Sequence, residues 1–465
     1  MQFMLAERFV FDRISGMASG IFQQDDVYMV PAGSVLGAQD ESWWLIYSPL
    51  TGQSLLCDSQ EAVAVRERLA AAAAGTAPQE EPLRALFAAD KKQALLTRTV
   101  EIPRIRRLCI LANQRCNFSC SYCYSARGRN KQELTFEQIM SAFEWFIALR
   151  REPGTALTVA FIGGGEPLLS WGCVSRCMAE MSARAQAQHV QLGYIIITNG
   201  SLITDEHIAF FKQYRVHVHV SFEVIPEIQD TQRGQYARVH ANLLRMQELG
   251  LPFALRAVIT ELNLHRMSEM VQLTRLHYPA VRHLRLEPVV DSGLLCTPAA
   301  AESFYHRFYE GFTRAVETAA AHGLQLTCTD YGSADMLRTH FCGPQAVLTP
   351  QGFISACEFE SDEADGHFEH YLYGKIRAGR VEVSPEAFAA FYPPPGTSLP
   401  PACQTCWARW NCGGGCRYRR EQLGEEVFAQ YCQFTRKLLL YTLVSRVRAA
   451  YRKLGMPDPF TPEPQ

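Results

Sequence analysis

The chain has no apolar run approaching the roughly 20 residues needed to span a bilayer. Its start is broken by Glu7, Arg8, Asp12 and Arg13, which does not fit a secretory signal. Nor is there an excess of one charge. Lys and Arg total 45 against 47 Asp and Glu, a net charge of -2, too balanced for the basic footprint of a nucleic-acid or anionic-lipid binder. We therefore expect neither nucleic acid nor membrane as partner, and a cytoplasmic location. With 465 residues, 48% hydrophobic and 20% charged, the chain is expected to fold as two or three domains. Cysteine is not scarce: sixteen in a long chain argue for metal clusters rather than for a secreted disulfide scaffold.

Three of them lie in Cys116-Asn117-Phe118-Ser119-Cys120-Ser121-Tyr122-Cys123, a CxxxCxxC array. A [4Fe-4S] cluster normally takes four thiolates, so three leave one iron open to a small chelating molecule. Structural zinc competes as a reading, but it usually takes four ligands in paired spacing, and no nearby Cys or His completes the triplet. Cys109, in an apolar strand-like run, reads as a buried small hydrophobe.

From residue 108 to about 323, short apolar runs alternate with amphipathic stretches, the pattern of βα units on a parallel sheet. Strands are expected at 108–111, 157–162, 194–198, 216–222, 253–259 and 283–286, with helices at 136–150, 174–187, 205–214, 236–249, 266–276 and 302–321. Six units predict an α/β fold with a partial (βα)6 barrel, open on one side. Barrel enzymes place chemistry at the C-terminal strand ends, and the unusual residues fall there. The cysteine loop follows the first strand. Gly163-Gly164-Gly165-Glu166-Pro167 follows the second, where glycine permits close backbone approach and Glu166 can accept from an ammonium. The third strand ends in Thr198-Asn199-Gly200, the fourth in Ser221-Phe222-Glu223, and the fifth carries Arg256.

The cysteine array, with Tyr122 ahead of its third thiol and the Gly-Gly-Glu-Pro loop one unit later, resembles the radical SAM superfamily. That resemblance implies a three-cysteine [4Fe-4S] cluster that reductively cleaves S-adenosyl-L-methionine. It also implies cofactor contacts from Tyr122, Gly164, Gly165, Glu166, Pro167, Asn199, Ser221 and Arg256. Asp230 and Arg233 resemble a stretch of peptide-modifying members, with a solvated loop as the other reading. Further on, Cys342-x9-Gly352-x4-Cys357, then Cys403-x2-Cys406-x5-Cys412-x3-Cys416, then Cys432 resemble the SPASM extension of enzymes that modify peptides. A hairpin is expected at 347–355 about Pro350-Gln351-Gly352. The resemblance implies two auxiliary [4Fe-4S] clusters, one on Cys342, Cys357 and Cys416, the other on Cys403, Cys406, Cys412 and Cys432. Zinc competes for the Cys-x2-Cys block. Eight ligands are needed and seven are supplied, so either Cys328 is the eighth or one iron stays open. Cys57, Cys173, Cys177 and Cys296 receive no role.

Strands at 26–30, 43–47 and 54–57 and helices at 60–74 and 82–89 precede the barrel. This βββαα order resembles, in layout, the winged-helix modules that bind leader peptides, with Trp43, Trp44 and Tyr47 lining a pocket. An accessory subdomain is the alternative. The expected domains are 1–100, 101–325, 326–440 and 441–465. Taken together, the resemblances imply a maturase that cross-links a ribosomally made precursor peptide through a thioether or C–C bond. A flavodoxin or ferredoxin would supply electrons. A sulfatase-maturating, formylglycine-forming activity is the alternative, with Glu358 as base or else merely an exposed hairpin residue. A non-catalytic iron-sulfur electron carrier is the alternative of another class.

Overall fold

The computed structural model describes residues 22–455 except 25, 37–42, 73–82, 88, 127–128, 150–151, 153, 291–292, 361, 396 and 398. The first sheet is an antiparallel meander of β1 (Phe22–Gln24), β2 (Val27–Pro31), β3 (Trp43–Ser48) and β4 (Gln53–Asp58). It has one strand more than expected. Helix Ser59–Ala72 follows. The expected helix at 82–89 is instead a 3-10 turn, Leu83–Leu86, with an α-helix at Ala89–Leu96; residues 82 and 88 lie outside the described set. Leu83 and Leu86 are both buried, and a 3-10 turn stacks residues three apart on one side.

Period-two alternation gives this sheet two buried faces. Val27, Met29, Trp44, Ile46 and Cys57 pack under Ala62, Leu69, Leu83 and Leu86. Tyr28, Val30, Leu45 and Tyr47 pack against Trp407, Ala408, Leu439, Leu440, Leu443 and Val444. Trp44 and Tyr47, expected to line an open pocket, are therefore spent in these two cores, and Trp43 packs at the edge of the second. Polar ties reinforce the second face. Trp410 Nε1 donates to Asp26 at 2.8 Å, Tyr28 Oη donates to the same oxygen at 3.1 Å, and Lys92 Nζ lies 2.6 Å from its other oxygen. Tyr47 Oη donates to Asn411 at 3.0 Å.

The second sheet begins with seven parallel strands that neighbour one another in chain order. They are β5 (Arg107–Ile110), β6 (Leu157–Phe161), β7 (Leu192–Thr198), β8 (His217–Ser221), β9 (Phe253–Ile259), β10 (His283–Pro288) and β11 (Gln325–Thr327). Helices Phe136–Ala148, Trp171–Ala187, Asp205–Gln213, Tyr236–Glu248, Met267–His277 and Pro298–Ala321 stand between them. All six expected units are present. Strand β11 is a seventh, too short at three residues to show a period.

The open side of the half-moon does not stay bare at β5. The expected hairpin forms β12 (Ala346–Leu348) and β13 (Phe353–Ser355), and β14 (Leu372–Arg377) and β15 (Arg380–Val383) follow. Strand β12 pairs in parallel with β5, setting Val347 opposite Cys109, and extends the sheet to eleven strands. An unpaired edge is thereby covered. One core runs from Ile105 to Leu438, across the expected boundary at 325. Helix Glu425–Lys453 runs through residue 440 and packs on Pro298–Ala321, with Tyr305 stacked on Phe434 at 5.3 Å. No helix among the described residues is long and apolar enough to cross a membrane.

Replacing Asp26 with Ala strands two buried donors, at about 1–3 kcal/mol each. The expected outcome is faster hydrogen exchange across β2 and β3, with exchange in β6 to β9 unchanged.

Candidate functional site

Strand β9 shows how the sheet aims side chains. Phe253, Leu255, Ala257 and Ile259 are buried on one face, leaving Arg256 and Val258 on the other. The C-terminal ends of these strands surround a cavity of about 330 Å³. Its walls include Cys116, Cys120, Tyr122 and Cys123 after β5, Gly164, Gly165 and Glu166 after β6, Asn199 after β7, Ser221 on β8, Arg256 on β9 and Glu358 after β13. Pro167 stands outside it, buried at the start of the 3-10 turn Pro167–Ser170.

The glycine loop is pressed against the backbone leading into Cys116. A Cβ on Gly165 would stand 1.7 Å from the Arg115 carbonyl oxygen and 2.4 Å from Asn113 Oδ1. The Gly165 amide donates to Asn113 O at 2.8 Å and the Glu166 amide to Arg115 O at 2.7 Å. The Glu166 carboxylate, 3% exposed, accepts from Thr198 Oγ1 at 2.7 Å, the Asn199 amide at 2.7 Å and the Leu168 amide at 3.1 Å. Burial raises its pKa, and these three bonds oppose the rise. Asn199 in turn donates to Asn117 Oδ1 at 2.9 Å. So two residues expected at the cofactor also tie the cysteine loop to β6 and β7.

A second clamp closes on Tyr122. Its hydroxyl donates to Glu223 and accepts from Arg233 Nη1 at 2.7 Å. Glu223 is fully buried and accepts from the Val258 amide at 3.2 Å; burial pushes its carboxyl up to about 7. The stretch holding Asp230 and Arg233 is not a solvated loop. It is helix Pro226–Gln232, with Arg233 buried behind Tyr122 and Asp230 accepting from the Tyr236 amide at 2.7 Å. Arg129 donates to Phe118 O and lies 3.4 Å from Cys123 Sγ. Nothing in the spacing announces it.

The Arg256 guanidinium makes no hydrogen bond or ion pair with any described side chain, while its carbonyl accepts from the Phe222 amide at 2.8 Å. Burial and neighbouring Arg285 push its pKa down, so the cavity offers a cation in need of an anion. Arg285 is already bound to Glu287 and, at 2.8 Å, to Thr329. Glu358 is not an exposed hairpin residue: at 24% exposure it faces the cavity, 3.7 Å from Arg107 and 3.9 Å from Cys109 Sγ.

No described cysteine is in a disulfide. Cys357 and Cys416 share a buried cluster with Tyr371 and Tyr418. Burial, then Cys416, pushes the Cys342 thiol up to about 12. A separate group gathers elsewhere: burial raises Cys412, followed by Asp330, Cys432, Cys406 and Cys403. Several thiols gathered in one place can share a metal that takes their charge, so both groups fit metal clusters. Cys328 stands apart at the end of β11. It is 3% exposed, and after burial the groups that raise its thiol are Glu287 and Asp330. Sequence reasoning also missed an aromatic stack. Tyr124, next to Cys123, meets Phe359 at 4.6 Å, and Phe359 meets Tyr418 at 4.9 Å, spanning from the cavity to Cys357 and Cys416.

Three thiols on a strand-end loop, a glycine loop braced against it and an arginine without a salt-bridge partner in the same cavity form a site suited to a three-cysteine cluster and an anionic ligand. Residues 110–274 match the Radical SAM superfamily model. The chain carries a radical SAM domain, which implies a [4Fe-4S] cluster and S-adenosylmethionine, and the donor set just described suits both. Among relatives, the serine-type anaerobic sulfatase-maturating enzyme of Klebsiella aerogenes is 23% identical over 329 residues, 65% of this chain and 76% of the relative. The radical SAM cyclopropyl synthase TigE of Paramaledivibacter caminithermalis is 28% identical over 133 residues, 26% of this chain and 27% of that one. Two solved structures share the fold. anSMEcpe with bound AdoMet has a TM-score of 0.58 at 16% identity, covering 75% of this chain and 99% of that one. Streptococcus suis SuiB bound to precursor peptide SuiA has a TM-score of 0.50 at 13% identity, covering 88% and 98%.

Gly165→Ala should displace the backbone before Cys116 and lower the iron bound per chain. Cys328→Ala should leave iron content unchanged, because that thiol faces carboxylates rather than other cysteines. Glu223 holds its proton more tightly folded than unfolded, so its contribution to stability is greatest at low pH and falls as pH rises from about 4.5 to about 7. In Glu223→Gln, denaturant titrations across that window should lose this part of the slope.

Proposed function

We propose that this enzyme matures a ribosomally made peptide, joining a side-chain carbon to sulfur or to another carbon, with two auxiliary [4Fe-4S] clusters. One observation carries the reading. The cavity that holds the cysteine triplet is also lined by Glu358, Phe359 and Arg419, close in sequence to Cys357 and Cys416, so the two cysteine groups adjoin one chamber.

When bound, the cluster and S-adenosylmethionine supply one-electron cleavage of the sulfonium and abstraction of a substrate hydrogen atom. Cys116, Cys120 and Cys123 hold the first cluster. Arg256 would take the methionyl carboxylate, Glu166 and the glycine loop would face the ammonium, and Asn199 and Ser221 would meet the ribose. Tyr122 packs beside the cofactor, braced by Glu223 and Arg233. Val289, Val290 and Phe359 line the chamber and exclude water. Cys342, Cys357 and Cys416 would hold one auxiliary cluster, and Cys403, Cys406, Cys412 and Cys432 would hold the other. A flavodoxin or ferredoxin is the electron donor, and the cytoplasm is the setting. Residues 1–100 are assigned to leader recognition. Both faces of that sheet are covered, so an added peptide strand has only the β1 or β4 edge to join.

Glu358 favours a second reading, oxidation of a Cys or Ser side chain to formylglycine, because it follows Cys357 and faces the cavity. Anaerobically reconstituted, dithionite-reduced enzyme should release 5'-deoxyadenosine. Co-expression with a short Cys-rich peptide encoded nearby should then yield a peptide lighter by two hydrogens and inert to hydrazides. A hydrazide-reactive aldehyde would instead establish the second reading. Arg256→Ala should raise the KM for S-adenosylmethionine by about tenfold or more, the loss of one charge-assisted contact, with the cluster's spectrum unchanged.

A further inference from the structure

A second convergence of ligating side chains lies away from the cavity. His367 is the N-cap of the 3-10 turn Phe368–Tyr371, His370 lies within that turn, and Glu421 stands on helix Arg417–Leu423. One ligand atom from each falls within 4.8 Å of the others. We propose that His367, His370 and Glu421 bind a divalent cation of the zinc class, clamping together the two segments that present Cys357 and Cys416.

The donor set suits such an ion. Two imidazoles and a carboxylate are common zinc ligands, at about 2.0–2.2 Å each, and leave a fourth position for water. The His367 ring has no hydrogen-bond partner among the described residues. His370 Nδ1 lies 3.8 Å from Glu421 Oε1, too long for a hydrogen bond yet within the span of two ligands on one ion. The carboxylate is pre-oriented, since Tyr371 Oη donates to one oxygen and Arg417 Nε to the other at 2.9 Å. A carboxylate has about four lone-pair sites, so capacity remains, and such outer donors are usual for ligating carboxylates.

A second observation points the same way. Glu360 is buried, with Oε1 accepting from Gln422 Nε2 at 3.3 Å and Oε2 lacking a side-chain partner; the His367 backbone also donates to this carboxylate, and Glu421 and Asp365 are among its electrostatic neighbours. Three carboxylates gathered on one side of the histidine pair make the locality favourable to a cation. The mechanical consequence follows from the chain path. The turn Phe368–Tyr371 closes the connection that begins after β13 with Cys357, and Cys416 is the N-cap of helix Arg417–Leu423. Tyr371 touches the Glu421 carboxylate and packs with both cysteines. An ion held by His367, His370 and Glu421 therefore fixes the spacing of those two thiols.

The test is calorimetric titration of Zn²⁺ into cluster-loaded enzyme, with the cluster absorption followed to show that iron stays in place. Wild type should take up one equivalent that the H367Q/H370Q double variant lacks or binds at least 100-fold more weakly. Iron loss to a chelator should slow with Zn²⁺ in wild type only. Equal Zn²⁺ stoichiometry and affinity in the two proteins would overturn the proposal. The variant's release of 5'-deoxyadenosine should stay at the wild-type level, because neither histidine lines the cavity. The cation site and the maturase reading therefore stand or fall separately.

Discussion

A side chain at position 165 would need the space that the Arg115 carbonyl already fills. That close approach of two strand-end loops is the constraint on which the candidate site depends. It sets the backbone before Cys116 against the end of β6, and Glu166 then carries the tie onward to β7 through Thr198 and Asn199. The three thiols are thereby held by the sheet and not by their own loop, whose eight residues from Cys116 to Cys123 contain no regular element of their own. A rigid platform matters because a coordination site one iron wide tolerates little drift in its ligands.

Charge inside the cavity is arranged in the same spirit. Most arginines around it are neutralised: Arg285 by Glu287, Arg233 beside Tyr122 and Glu223, Arg419 near Glu287 at 3.9 Å. Arg256 is the exception, and its exposure to the chamber gives the site a preference for an anion. The C-terminal region is joined to this chamber by continuous structure. Strand β12 pairs with β5, and the aromatic stack from Tyr124 to Tyr418 links the walls. The N-terminal sheet is joined at the opposite flank, since Trp410 and Asn411, between Cys406 and Cys412, bond to Asp26 and Tyr47. Changes in the second cysteine group are thus in direct contact with the sheet assigned to leader recognition.

The six βα units and the cysteine spacings were legible because they are local: strand alternation and helical period repeat within ten to twenty residues, and a chelating loop is a short sequence. Strand β11 was not, because three residues carry no period. The pairing of β12 with β5 was also hidden, since edge complementarity between strands far apart in sequence leaves no mark in either one. Trp44 and Tyr47 looked like pocket residues because amphipathic aromatics suit both a groove and a core, and only the covering helix decides which.

The sequence by itself determined the chemistry available: three thiols in one loop, seven more in a patterned tail, and the glycines that let a backbone come close. Tertiary structure decided which of those groups meet. It divided the later cysteines into two groups and left Cys328 beside Glu287 and Asp330. It also turned Glu358 into the cavity and buried Arg233 behind Tyr122. Spacing constrains what can be reached within a few residues, whereas the partner of a buried charge is chosen by packing across the sheet.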